Sequence, residues 1–163
     1  MHARVSTCIG MSVVQETGGA VGTLEGILVD PDTGKIEAWQ VGGLLLLTMD
    51  ILRFGLQVVV RSGEVLVEGE DVVRLRSLLS DPRRVIGQRM LTKSGRRLGT
   101  CRDLQFHSQS WTVEWFFPRR FFRWGIPVPA AQILEVRPDA IIVRDDIVSE
   151  KEEGGVVVPE PAL

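Results

Sequence analysis

The stretch that most constrains this chain is Ala20–Val41, AVGTLEGILVDPDTGKIEAWQV. From Val21 to Val29 the odd positions Val21, Thr23, Glu25, Ile27 and Val29 share one face, and Gly22, Leu24, Gly26 and Leu28 share the other. That period of two predicts a strand with both faces mostly apolar, as in a strand curving around a small core, with Gly22 and Gly26 marking where it bends. Asp30-Pro31-Asp32-Thr33-Gly34-Lys35 then closes a hairpin: proline presets φ at the second turn position, and Gly34 takes the left-handed position before Ile36–Val41 returns. A weaker copy, Arg97–Phe117, follows 77 residues later.

The repeat extends beyond the hairpin. At that offset Ile9-Gly10 matches Ile86-Gly87, Gly18 matches Gly95, Gly22-Thr23 matches Gly99-Thr100 and Glu37 matches Glu114. The offset becomes 82 for Gly43 with Gly125 and for Ile51-Leu52 with Ile133-Leu134, then 83 for Val60-Arg61 with Val143-Arg144. A five-residue insertion therefore lies between Glu114 and Gly125, and glycines recurring in order at turn positions indicate a duplication.

Around the hairpin, Met11–Gln15 reads as a first strand and Glu16-Thr17-Gly18-Gly19 as a turn. Leu44–Thr48 follows Gly42-Gly43, and Asp50–Gln57 reads as a connector or single helical turn. Val58–Val60 and Val65–Glu68 read as strands flanking the turn Arg61–Glu64, and Asp71–Leu79 has helical spacing at Val72, Leu75, Leu78 and Leu79. Ser80-Asp81-Pro82 stops that helix. The expected organisation is a first domain over 1–80, a second over 81–146 and a flexible acidic tail over 147–163, in which Val156–Val158 could add a strand to an exposed edge.

Ile-Gly, a strand, a glycine turn, then Val21–Ile36 with its Asp-Pro-x-Thr-Gly turn resembles the PRC-barrel domain family, over about residues 9–146. The second unit resembles it through Ile86-Gly87, Gly95, Leu98–Leu104 and Ile126-Pro127-Val128-Pro129 to Ile142-Val143, but His107-Ser108-Gln109-Ser110 replaces the turn. The tandem pair is similar to YrrD-type small bacterial proteins. The resemblance implies a mainly β chain of two small, strongly bent β-barrels with short helical connectors. It implies a binding or assembly role, as in the cytoplasmic domain of the photosynthetic reaction-centre H subunit and the C-terminal domain of a ribosome-maturation factor, and it offers no catalytic motif.

Charge is divided unevenly. Residues 1–80 carry six Arg/Lys against ten Asp/Glu, residues 81–146 twelve against seven, and residues 147–163 one against four. Either these parts attract one another or the basic half meets nucleic acid, an acidic protein or anionic lipid. Cys8 and Cys101 form no C-x-x-C, which fits free thiols in a reducing cytoplasm, and the first residues carry no secretory pattern. No apolar run is long enough to span a membrane as a helix.

Catalytic chemistry finds no constellation. His2 and His107 are the only histidines, and Asp30-x-Asp32-x-Gly34 lacks the later ligands of a calcium loop. Cys101 and His107 fall on one strand about 20 Å apart, beyond nucleophile–base reach. No phosphate-binding glycine loop is present, so the expectation is a chain that is not an enzyme and uses no metal or cofactor.

One segment stands apart: Trp111–Gly125, WTVEWFFPRRFFRWG, holds three of the four tryptophans and four of the six phenylalanines. One reading has Trp111, Val113 and Trp115 lining a strand while the phenylalanines cover a seam between the barrels. The other is an exposed aromatic–arginine loop, since such side chains anchor interfaces. On the second reading Trp115, Phe117, Arg119, Arg120, Phe121, Phe122, Arg123 and Trp124 bind a partner. That partner is a protein or a second copy of the chain, with RNA or a ribosomal component as the alternative and peripheral membrane contact the weakest option. The function expected is a non-catalytic protein-interaction or assembly module. The alternative is an RNA- or ribosome-associated processing factor using the basic second half.

Overall fold

The computed structural model describes residues 1–147. The predicted tail, with Val156–Val158, lies outside the described residues except for Ile147. The described chain is mainly β, with helix α1 at Val5–Cys8, helix α2 at Val73–Leu79 and short 3-10 turns between strands.

In the first half, β2 (Ser12–Gln15), β3 (Ala20–Thr23), β7 (Ile51–Phe54) and β8 (Val58–Val60) form one sheet in the order β3-β2-β8-β7. A second sheet, β4-β5-β6-β9, holds β4 (Gly26–Val29), β5 (Ile36–Val41), β6 (Leu44–Leu47) and β9 (Leu66–Val67). The single strand expected over Val21–Val29 is therefore two. Leu24 N–H donates to Met11, just before β2 of the first sheet, while Glu25 N–H donates to Gln40 of the second. Apolar side chains on both faces made the stretch look uniform; in fact fully buried Leu24 sits where the chain passes from one sheet to the other. Likewise Asp50–Gln57 is not a helical connector. It contains the edge strand β7, paired with β8 through Ile51–Val60 and Phe54–Val58.

The second half forms one larger sheet from β10 (Arg89–Thr92), β11 (Arg97–His107), β12 (Thr112–Arg120), β13 (Arg123–Trp124), β15 (Ile133–Val136) and β16 (Ile141–Val143), in the order β13-β12-β11-β10-β16-β15. β14 (Val128–Pro129) pairs with β12, and β1 (His2–Arg4), from the other end of the chain, pairs with β11. The mainly β character is as expected; among the described residues the strands lie in three sheets, none of which closes on itself into a barrel. They share one core. Val13, Leu24, Ile36, Trp39 and Val58 belong to the same buried cluster as Met90, Cys101, Phe106, Phe116 and Ile141.

Backbone contacts recur along the chain. Gly10 N–H donates to Leu24 O and Gly87 N–H to Cys101 O; Gln15 N–H donates to Gly19 O and Thr92 N–H to Arg96 O. The parallel pair Val13–Val58 in the first half has its counterpart in Met90–Ile141. Where the halves meet, the recurrence becomes reciprocal: Ile36 N–H donates to Trp111 O at 2.7 Å, and Val113 N–H to Gly34 O at 2.9 Å, around an antiparallel bridge between Lys35 and Thr112. Lys35 and Thr112 are 77 positions apart, and the same offset carries Ile36 onto Val113 and Gly34 onto Trp111, so this contact is self-complementary, like an isologous interface held within one chain.

Two further links tie the halves. The N-terminal segment is held by Asp103, whose carboxylate is 1% exposed. It accepts from Ser6 N–H at 3.0 Å and Ser6 Oγ at 2.5 Å, with the Arg4 guanidinium 3.8 Å away. On the opposite link, Arg83 bonds Asp81 and Asp32 together. These charge-assisted bonds hold both carboxyls below the usual carboxylate range and raise the Arg83 guanidinium.

Candidate functional site

The five-residue insertion is an extended hairpin arm. In the first half β5 turns into β6 through Gly42-Gly43, both at positive φ (56° and 81°), as a tight two-residue hairpin requires. In the second half β12 is longer, and Arg120 pairs with Arg123 across the two-residue turn Phe121-Phe122. Phe121 takes φ 54°, a conformation that costs a bulky side chain energy and that glycine adopts freely. Phe121 and Phe122 are 85% and 89% exposed, so two aromatic rings lie open to solvent at the tip of the arm.

Of the residues expected to bind a partner, the arm brings most to one place. Arg120 and Arg123 are exposed beside the two rings, with the Arg120 guanidinium 5.9 Å from the Phe121 ring centre. Arg119 packs over Trp124 at 5.5 Å, and its buried Nε makes no hydrogen bond. Trp115 and Trp124 are half-buried on the strands below the tip. Phe117 is a correction. It is 1% exposed, and the Arg4 guanidinium covers its ring at 3.8 Å, so it belongs to the core and not to a binding loop. Phe116 is buried as well, and the segment is strand and turn rather than loop.

The sequence around the arm lacks acid. No Asp or Glu occurs between Asp81 and Asp103, or between Glu114 and Glu135, while these two stretches hold ten Arg/Lys. They meet where β11 pairs with β12, with Thr100 opposite Arg119. The charge asymmetry in the sequence signalled this region; the position of the tip required the turn.

A second feature was not foreseen. A cleft of about 330 Å³ lies between the Asp30–Gly34 turn of the first half and Ile133–Val136 of the second, with Val29, Val113 and Phe116 in its wall. Carboxylates of Asp30, Asp32 and Glu135 edge it, with the Arg83 guanidinium. The turn follows the expected chemistry: Gly34 has φ 69°, and Asp30 Oδ1 accepts from Asp32 N–H at 2.9 Å. Its signal in the sequence was the Asp-Pro-Asp-Thr-Gly turn itself, which reads as a structural motif until its neighbours are known.

For chemistry the described residues offer little. No group of three or more His, Cys, Asp or Glu side chains among them is arranged to hold a metal ion. Both cysteines are free and buried; burial pushes the Cys8 thiol up to about 11 and the Cys101 thiol up to about 12, far from a reactive thiolate. His107 lies on the same strand as Cys101, near the N-terminal amine and His2. No described helix is long and apolar enough to cross a membrane.

No curated protein matches the chain. One family does: the PRC-barrel domain matches residues 2–76, a span that runs from β1 into α2 and has the Ala20–Val41 hairpin near its centre.

Proposed function

We propose that the chain is a non-catalytic, cytoplasmic protein-interaction and assembly module of two PRC-barrel-like units, the second a modified copy of the first. The binding element is the β12–β13 arm. Recurrent hydrogen bonds 77 residues apart support the second unit, and unpaired buried thiols suit a reducing compartment. The observation that carries the binding role is the pair Phe121 and Phe122, almost fully exposed on a turn where the first half has two glycines. Exposed aromatics ringed by arginine are the composition of interface anchors, and a strained turn residue concentrates at working sites.

A photo-reactive phenylalanine at position 122, introduced in cells, tests this. Capture of a defined protein there, and not from exposed Val73, supports the reading; equal capture from both positions contradicts it. The acid-free stretches 82–102 and 115–134, with their ten Arg/Lys, favour a second reading, binding to RNA or a ribosomal component. In that case capture yields RNA, and affinity falls steeply with salt.

A further inference from the structure

The self-complementary contact between the halves creates two equivalent places, and they are filled differently. At one, Trp111 stacks on Phe106 with ring centres 5.7 Å apart and meets Phe54 edge-on at 5.1 Å, with Trp39 behind them at 5.8 Å from Phe106. At the other, the same offsets of 77 and 82 put Gly34 in place of Trp111, Val29 in place of Phe106, Val136 in place of Phe54 and Phe116 in place of Trp39. All four of these line the cleft. Four aromatic side chains have become one, and the space they would fill is open. Protein interiors pack closely, and this cleft is within the size range of ligand pockets, so its twin shows the shape it accepts: an aromatic ring entering beside position 34.

Its edge narrows the chemistry. Asp30, Asp32 and Glu135 line it with the Arg83 guanidinium, which pairs with Asp32 and with Asp81 behind it. Three carboxylates to one cation favour an aromatic group flanked by positive charge. The arm presents that group in Arg120-Phe121-Phe122-Arg123. Its own molecule's cleft is not where it lies: β12 leaves the cleft wall at Phe116 and continues as strand to Arg120, which carries the turn away by an extended-strand reach of about 16 Å.

We propose that the cleft receives the Phe121–Phe122 tip of a second copy of this chain, so that copies join head to tail. The inference rests on the arm being the binding element and names its partner. Because arm and cleft are different surfaces, the contact is heterologous and generates a ring or an open filament. As an interface built on two anchor side chains it belongs among the small, transient ones.

Two variants test it together. Phe121→Asp with Phe122→Asp disables the arm; Gly34→Trp fills the cleft as Trp111 fills its twin, at a φ of the same sign. The mass of the wild-type chain, followed by sedimentation over an about hundredfold concentration range, is expected to rise with concentration. Each variant alone stays monomeric, and a one-to-one mixture forms a heterodimer and nothing larger, because only one arm and one cleft remain. A heterodimer also shows that both variants are folded. If Gly34→Trp does not fold, Val136→Phe takes its place in the same mixture. A wild-type chain that is monomeric throughout, variants that associate like wild type, or a mixture of folded variants that stays monomeric would each overturn the proposal. Selective cross-linking of another protein at position 122 would then leave the arm a binding element with a different partner.

Discussion

Phe117 and Phe122 are five residues apart on one hairpin and should behave oppositely. Phe117→Ala empties a fully buried site and uncovers Arg4, and is expected to cost about 3–5 kcal/mol in denaturant unfolding. Phe122→Ala removes a solvated ring and should change stability by less than about 0.5 kcal/mol. Phe121→Gly should gain up to about 1 kcal/mol by relieving the left-handed backbone, while weakening association. The sequence could not separate these residues. Trp115-Phe116-Phe117 is apolar on both faces, and the guanidinium that covers Phe117 comes from residue 4. The two free cysteines are buried, and they give a pH dependence. An unfolded thiol ionises near 8.5, whereas in the fold burial pushes the Cys8 and Cys101 thiols up to about 11 and 12. Stability from these groups is therefore complete below about pH 8.5 and declines as pH rises above it, because only the unfolded chain loses its protons there. Unfolding curves at neutral and alkaline pH measure this directly.

At the scale of elements, the turns were legible and several strand partners were not. Gly34 and Gly42-Gly43 announce their turns through the positive φ that glycine tolerates. β7 was hidden because Ile51, Leu52 and Phe54 around Arg53 also fit one helical turn; its identity comes from β8, a partner that local periodicity does not reveal. β1 was hidden for the same reason, since its partner β11 lies a hundred residues away. Its anchor is testable. Asp103→Ala leaves Arg4 buried beside an empty site and Ser6 without its acceptor, and should cost about 3–5 kcal/mol. Amide exchange in residues 2–8 should accelerate more than in β5. Uniform acceleration through both elements would contradict a local latch.

For the molecule as a whole, the duplication pattern pointed to two units with a boundary near Pro82, and the core shows how they are coupled. One buried cluster runs from Val5 to Ile147 through both halves, and the aromatic group of Trp39, Phe54, Phe106 and Trp111 takes two members from each. Neither half has a complete core without the other, so thermal unfolding should be a single transition with equal calorimetric and van't Hoff enthalpies. Two resolved transitions would show independent domains. Within this frame the first half keeps the conventional turns, and the second departs from them, at Trp111, which plugs one of two equivalent sites, and at Phe121, which arms a turn. The second departure is the working surface we propose. Covalent footprinting of aromatic and aliphatic side chains, compared between dilute purified protein and living cells, tests it most directly. Heavy labelling of Phe121 and Phe122 is expected in the purified chain, with selective protection of both in cells and equal labelling of exposed Val73 and Met49 in the two settings. Equal labelling of all four in both settings would contradict it.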